Sequence, residues 1–128
     1  MEELRWRLSR HSIERLYERF PAYFTDEAKA TYRRGDYWPL LKETFTMMNV
    51  AEVREAVHNN TAFMLYIGEK YGFQRYRFLV YRDILFVGIE RHDVNQLLIV
   101  TVMDLRKGPT WTHQTLGTRK KFKKVTND

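Results

Sequence analysis

The sequence predicts an α+β domain in which N-terminal helices pack on one face of a four-stranded antiparallel meander, followed by a basic C-terminal tail. Three features predict it. Apolar residues recur at helical spacing up to about residue 57, runs rich in β-branched and aromatic residues separated by short polar turns fill residues 62–103, and lysine and arginine crowd the end of the chain. Helices first and strands afterwards is the order of a fold whose helices are segregated from an antiparallel sheet.

The first helix is expected from Ser9, a good N-cap, to about Phe20, with Ile13, Leu16, Tyr17 and Phe20 on one side and Pro21 stopping it. Thr25 caps a second, short helix whose first turn carries Asp26 and Glu27, favourable for the helix dipole, and Gly35 ends it. A third helical stretch opens near Asp36 and Pro39 and runs through Leu40, Leu41 and Phe45. Asn49 and Glu52 have capping-box spacing, which predicts a restart or kinked continuation from Val50 to Val57. Beyond the His58-Asn59-Asn60 turn, strands are expected at Phe63–Ile67, Arg75–Tyr81, Ile84–Ile89 and Leu97–Met103. The predicted domain is therefore 1–108, closed by Gly108-Pro109, with 109–128 as the tail.

A chain of 128 residues with 44% hydrophobic and 15% aromatic content can bury one core without metals or disulfides, so one domain is expected. There is no cysteine, which removes thiol nucleophiles, disulfides and Cys-based metal sites. The charged opening MEELRWRLSR lacks a signal peptide's apolar run, and no stretch approaches the roughly 20 apolar residues of a membrane span. A cytoplasmic protein with no membrane partner is the expectation.

The charge is unevenly placed. Of 22 Lys/Arg, seven lie beyond residue 104 (Arg106, Lys107, Arg119, Lys120, Lys121, Lys123 and Lys124), and of 16 Asp/Glu only Asp128 does. The remaining fifteen of each sign cancel, so the tail carries the whole net charge of +6. A basic block suits phosphate-dominated association through counterion release, which makes nucleic acid, RNA in the first place, the expected partner. A solvated, solubilising end has the same composition.

His11, Arg15 and Arg19 lie four residues apart on the first helix and form one cationic stripe beside Glu14 and Glu18. Imidazole titrates near neutrality and guanidinium binds phosphate bidentately, so the stripe is a candidate phosphate-handling surface; paired with the glutamates it would be only a solvated face. His113, in the polar segment 110–115, is a candidate second acid–base group. RNA cleavage through the 2′-hydroxyl needs one group to take that proton, another to protonate the leaving oxygen, and cations around the phosphorane, with no metal or cofactor. His58 and His92 read as structural. The histidines have no metal-ligand spacing, and neither a P-loop nor a G-x-G-x-x-G is present, so no metal site or nucleotide cofactor is expected. Arg75, Arg77 and Tyr81 alternate along one strand with Tyr76, Phe78 and Val80 turned the other way, which offers a base-stacking face if the sheet is uncovered there.

The helix carrying His11, Arg15 and Arg19, the further helices, and the meander ending in Leu98-Ile99-Val100-Thr101-Val102 together resemble the barnase–EndoU–colicin–RelE superfamily of small ribonucleases, which includes RegB-like phage endoribonucleases and toxins. The resemblance is carried chiefly by residues 9–20 and 75–103. It implies metal-independent RNA cleavage on the open sheet face, with His11 as acid or base, Arg15 and Arg19 as phosphate ligands, and Thr101 near the scissile bond. The long helical insertion from Thr25 to Val57 and the position of the tail depart from the superfamily pattern and leave the second catalytic group unassigned.

A small metal-independent endoribonuclease of phage or toxin type is therefore the expected function. The alternative is a non-enzymatic phage-type inhibitor or adaptor that binds nucleic-acid machinery, with a protein partner on the 25–57 helices.

Overall fold

In the computed structural model, which describes residues 4–106, the chain enters as a strand. Arg5–Leu8 (β1) alternates exposed arginines with the half-buried Trp6 and Leu8, the period-2 pattern of a strand with one face on a core. The helix α1 (Arg10–Arg19) follows at once. Ser9 caps it, its Oγ accepting from the Ser12 amide at 3.1 Å. Phe20 closes it before Pro21, and a 3₁₀ turn at Pro21–Tyr23 leads on.

Thr25 caps α2 (Asp26–Arg33) by accepting from the Ala28 amide at 3.2 Å, and its own amide and hydroxyl donate to the carboxylate of Glu43. Those bonds tie the start of α2 to the middle of α3 (Trp38–Asn49). Gly35 adopts φ +102° after α2, a conformation glycine enters without steric penalty.

The expected helical restart at Val50–Val57 does not form. Glu52–Val53 is instead a two-residue edge strand, β2, and Glu55–Asn59 a 3₁₀ turn. The expected strand at Phe63–Ile67 is also overturned: Thr61–Tyr71 is a helix, α4, capped by Asn60 Oδ1 accepting from the Phe63 amide at 3.1 Å and closed at Gly72, φ +81°. A short apolar run does not by itself distinguish a strand from a buried helical turn, and here the caps on both sides decide for helix.

The strands β3 (Tyr76–Tyr81), β4 (Ile84–Arg91) and β5 (Gln96–Asp104) form the expected meander. Among the described residues the sheet has five strands in the order β1-β5-β4-β3-β2, and β1 runs parallel to β5, so the four-stranded, wholly antiparallel sheet is corrected to a mixed one.

Helices cover both faces rather than one. Ile13, Leu16, Phe20 and Leu40 from α1 and α3 pack with Leu79, Phe86, Leu97 and Ile99 on one side. On the other, Phe63 and Ile67 of α4 and Val57 pack with Phe78, Val80, Leu85 and Val87. Among the described residues no helix is long and apolar enough to cross a membrane.

Candidate functional site

The edge of β5 organises the site. Strand β1 pairs only with Gln96–Ile99, so among the described residues the second half of β5 has no strand beyond it. Unpaired carbonyls there need donors. Helix α1 starts where the pairing with β1 ends, the Ser9 amide donating to the Ile99 carbonyl at 3.2 Å, and runs along this half, with side chains adding donors at both places. The buried Ser12 hydroxyl donates to the Ile99 carbonyl at 2.9 Å, and Arg19 Nη1 donates to the Val102 carbonyl at 2.6 Å.

Between those two points β5 is bulged: Val87 opposes Thr101 while its neighbour Gly88 opposes Ile99, leaving Val100 as the extra residue. Ile99 and Val102 face the core under α1, whereas Val100 and Met103 pack toward α4. An extra residue in one strand shifts the alternation that follows it, and here it turns Thr101 to the α4 side, away from Ile99.

The result is a cleft of about 150 Å³ between α1, α4 and β5, lined by His11, Arg15, Arg19, Tyr66, Ile67, Lys70, Tyr71, Thr101 and Met103. Four residues singled out in the sequence, His11, Arg15, Arg19 and Thr101, thus meet in one concavity. Their spacing explains the helical three. The fourth arrives through the bulge. Among the described lining residues there is no Asp or Glu, so the three fixed cations Arg15, Arg19 and Lys70 give the cleft one sign of charge.

His11 is exposed and has no hydrogen-bond or ion-pair partner among the described residues, which leaves its ring nitrogens available to a ligand. Arg15 Nη1 reaches Glu18 at 3.3 Å, with both side chains largely in solvent, an ion pair worth only a few tenths of a kcal/mol, roughly, against a phosphate competitor. Lys70 Nζ lies 5.1 Å from the Tyr66 ring centroid, so the ammonium is steadied over an aromatic face. Burial, helped by the nearby Tyr71, pushes the Tyr76 phenol above its ordinary range, and it donates to the Gly72 carbonyl at 2.6 Å, fixing the end of α4.

The other sequence candidates lie elsewhere. Arg77 is bonded to Glu90 at 3.1 Å, and Glu90 also pairs with His92 at 2.7 Å. Arg75 is exposed at the opposite end of β3 from Tyr81. Leu79 is buried and Tyr81 half-buried against the α1–α3 side, so the open stacking face expected from Arg75, Arg77 and Tyr81 is covered. Arg106 sits at the end of β5, where both oxygens of Asp104 accept from its guanidinium. His113, Lys107, Arg119, Lys120, Lys121, Lys123 and Lys124 lie outside the described residues.

The cleft also contains Tyr66, Lys70 and Tyr71, which the sequence reading missed. The usable signal was the bracket formed by Asn60 and Gly72, a cap at each end of eleven residues in which Phe63 and Ile67, and Tyr66 and Lys70, stand one helical turn apart. Among the described residues no three His, Cys, Asp or Glu side chains group around a point as metal ligands would. No family model, no curated protein and no solved structure matches this chain.

Proposed function

We propose that this protein binds the phosphodiester backbone of RNA in the α1–α4–β5 cleft and cleaves it without a metal. The observation that carries the reading is the convergence of His11, Arg15, Arg19, Lys70 and Thr101 in one concavity free of carboxylates among its described lining.

The chemistry follows from the side chains. Arg15, Arg19 and Lys70 hold the two non-bridging phosphate oxygens and offset the charge that builds on them as the 2′-hydroxyl oxygen attacks phosphorus. His11 takes the proton from the 2′-hydroxyl, so that a second group must give one to the departing 5′-oxygen. Tyr66, Tyr71 and Lys70 are the other lining groups able to release a proton to that oxygen. The Thr101 hydroxyl, without a hydrogen bond to any described residue, orients a phosphate or ribose oxygen. The products are a 2′,3′-cyclic phosphate and a free 5′-hydroxyl. This is the chemistry that the resemblance to the barnase–EndoU–colicin–RelE superfamily implies.

The experiment is incubation of single-stranded RNA with the full chain in EDTA, with identification of the product ends. His11→Ala is expected to slow cleavage by about a hundredfold or more, the usual contribution of a positioned acid or base. Intact RNA with the unsubstituted protein, or full activity in His11→Ala, defeats the enzymatic reading.

A second reading, a non-enzymatic phage-type inhibitor or adaptor, is favoured by one specific feature. Tyr37 and Trp38, at the start of α3, are 45% and 58% exposed, and large aromatics standing in solvent suit a protein contact. In that case Trp38→Ala abolishes partner capture while RNA binding in the cleft is unchanged.

A further inference from the structure

One wall and the floor of the cleft run into a second cluster at the end of β5. Helix α1 passes from Arg19 into Phe20, and β5 passes from Met103 through Asp104 to Arg106. The Arg106 guanidinium lies 5.2 Å from the Phe20 ring centroid, with its Nε and Nη2 bonded to the two oxygens of Asp104 at 3.0 and 3.1 Å. Phe20 stacks on Tyr23 at 5.5 Å and 15°, and Tyr23 meets Tyr81 edge-on at 6.3 Å. Over this aromatic corner lies Arg82, 5.7 Å from the Tyr23 centroid and 5.3 Å from that of Tyr81.

The two arginines are held differently. Arg106 has its donors committed to Asp104 and a longer approach to Asp83, so it braces Phe20. Arg82 is exposed, has no carboxylate partner among the described residues, and stands at φ +53° in the two-residue β3–β4 turn. A non-glycine residue in the left-handed region carries a conformational cost, and here the guanidinium, still exposed to water, lies near both tyrosine rings. A planar cation backed on one side by aromatic rings keeps its other side for a further π-system.

We propose that Arg82, beside Tyr23 and Tyr81, is a stacking platform for one unpaired base of a single-stranded RNA whose backbone also occupies the cleft. The proposal rests on the reading of that cleft as a nucleic-acid site and adds the substrate class. A base in a duplex is already stacked on both faces and cannot reach Arg82, whereas an unpaired base can leave its neighbours and lie on the guanidinium. Stacking of this kind is tolerant of base identity, because every base presents a π-face.

The test is fluorescence anisotropy with a labelled 2′-O-methyl strand of about ten nucleotides, single and paired with its complement; the blocked 2′-oxygen cannot attack, so binding is read without cleavage. The full chain is expected to bind the single strand more tightly than the duplex. Arg82→Ala is expected to weaken single-strand binding about fivefold or more, and Arg82→Lys, which keeps the charge but not the plane, nearly as much. Neither should alter duplex binding.

Single-strand affinities of both variants within about twofold of the unsubstituted chain, or equal losses for single strand and duplex, would overturn the platform. Arg15→Ala, measured alongside, separates the two proposals. Its expected effect is an equal loss for both probes, and no effect there would discard the cleft while the Arg82 result still decides the platform. Arg82 is a surface side chain, and matching thermal melts of the two variants will establish that any loss reflects contact and not folding.

Discussion

Arg19 Nη1 donates to the carbonyl of Val102 at 2.6 Å, so a guanidinium stands where a sixth strand's amide would otherwise have to be. This bond, and the Ser12 hydroxyl on Ile99 where the pairing with β1 ends, fix α1 along the edge of β5. The cleft exists because of that placement. One wall is α1, and β5 with its bulge is the floor.

Arg19→Ala should therefore act on both stability and binding. Loss of a charged donor to a main-chain carbonyl is expected to cost about 1–2 kcal/mol in chemical denaturation, and on the proposed function the loss of one phosphate ligand is expected to lower RNA affinity and make it less steeply salt-dependent. Ser12→Ala separates the effects. It removes a comparable tie, at a buried position outside the cleft lining, and should destabilise by a similar amount while the salt dependence of RNA binding stays the same.

Asn60 caps the helix that forms the other wall. Its Oδ1 accepts from the Phe63 amide, yet its Nδ2 is buried without a partner among the described residues. Asn60→Ala loses the cap and should lower stability by about 1 kcal/mol. Asn60→Ser keeps an oxygen acceptor for the Phe63 amide and replaces the unpartnered amide group with a smaller, freely rotating hydroxyl. It should be neutral or slightly stabilising in the same thermal melt, because a buried donor without an acceptor is itself unfavourable.

Gly88 sits beside the bulge in the centre of β4. A Cβ there would come within 2.8 Å of Leu97 Cδ1 and 3.2 Å of the Arg77 carbonyl oxygen. Leu97 is fully buried and the carbonyl belongs to the neighbouring strand, so neither yields freely. Gly88→Val should destabilise by roughly 1–3 kcal/mol through overpacking, and Gly88→Ala by less, both measurable as a lower denaturation midpoint.

These positions show how much of the molecule could be read in advance. Ser9, Thr25 and the Arg82-Asp83 turn declare their elements through side-chain chemistry local to a few residues, and the structure has α1, α2 and the β3–β4 hairpin where those residues imply. The failures have a different physical origin. Strand β1 is four residues long and gains its stability from a partner some ninety positions away, so nothing nearby marks it beyond the alternation of Arg5, Trp6, Arg7 and Leu8. In α4 the apolar run from Ala62 to Ile67 suits either period, and the caps at Asn60 and Gly72 that decide for helix lie outside the run itself, while the face it covers was assumed open.

The site divides along the same line. His11, Arg15 and Arg19 share a helix face by spacing alone. Lys70 and Tyr71 could not be joined to them without knowing that the end of α4 lies beside Thr101 and Met103 of β5, and Thr101 turns toward them only through the register shift at Val100.

Glu90 supplies the prediction that depends on pH. Burial would raise its carboxyl, but the hydrogen bond from His92 and the charge and hydrogen bond of Arg77 outweigh burial and hold it below its ordinary range. The folded protein therefore favours the carboxylate more than the unfolded chain does. The stabilisation is fully present above the unfolded carboxylate pKa, about 4.3, and is lost as pH falls through the lower folded value. Glu90→Gln keeps the shape and removes the charge, leaving Arg77 and His92 without a counter-ion. At pH 7 the variant should be less stable by roughly 1–2 kcal/mol. Thermal melts of the two proteins from neutral pH downward should converge below about pH 4, as the unsubstituted protein loses its advantage. A constant gap across that range would mean that the Arg77–Glu90–His92 contacts stabilise the sheet through packing and not through charge.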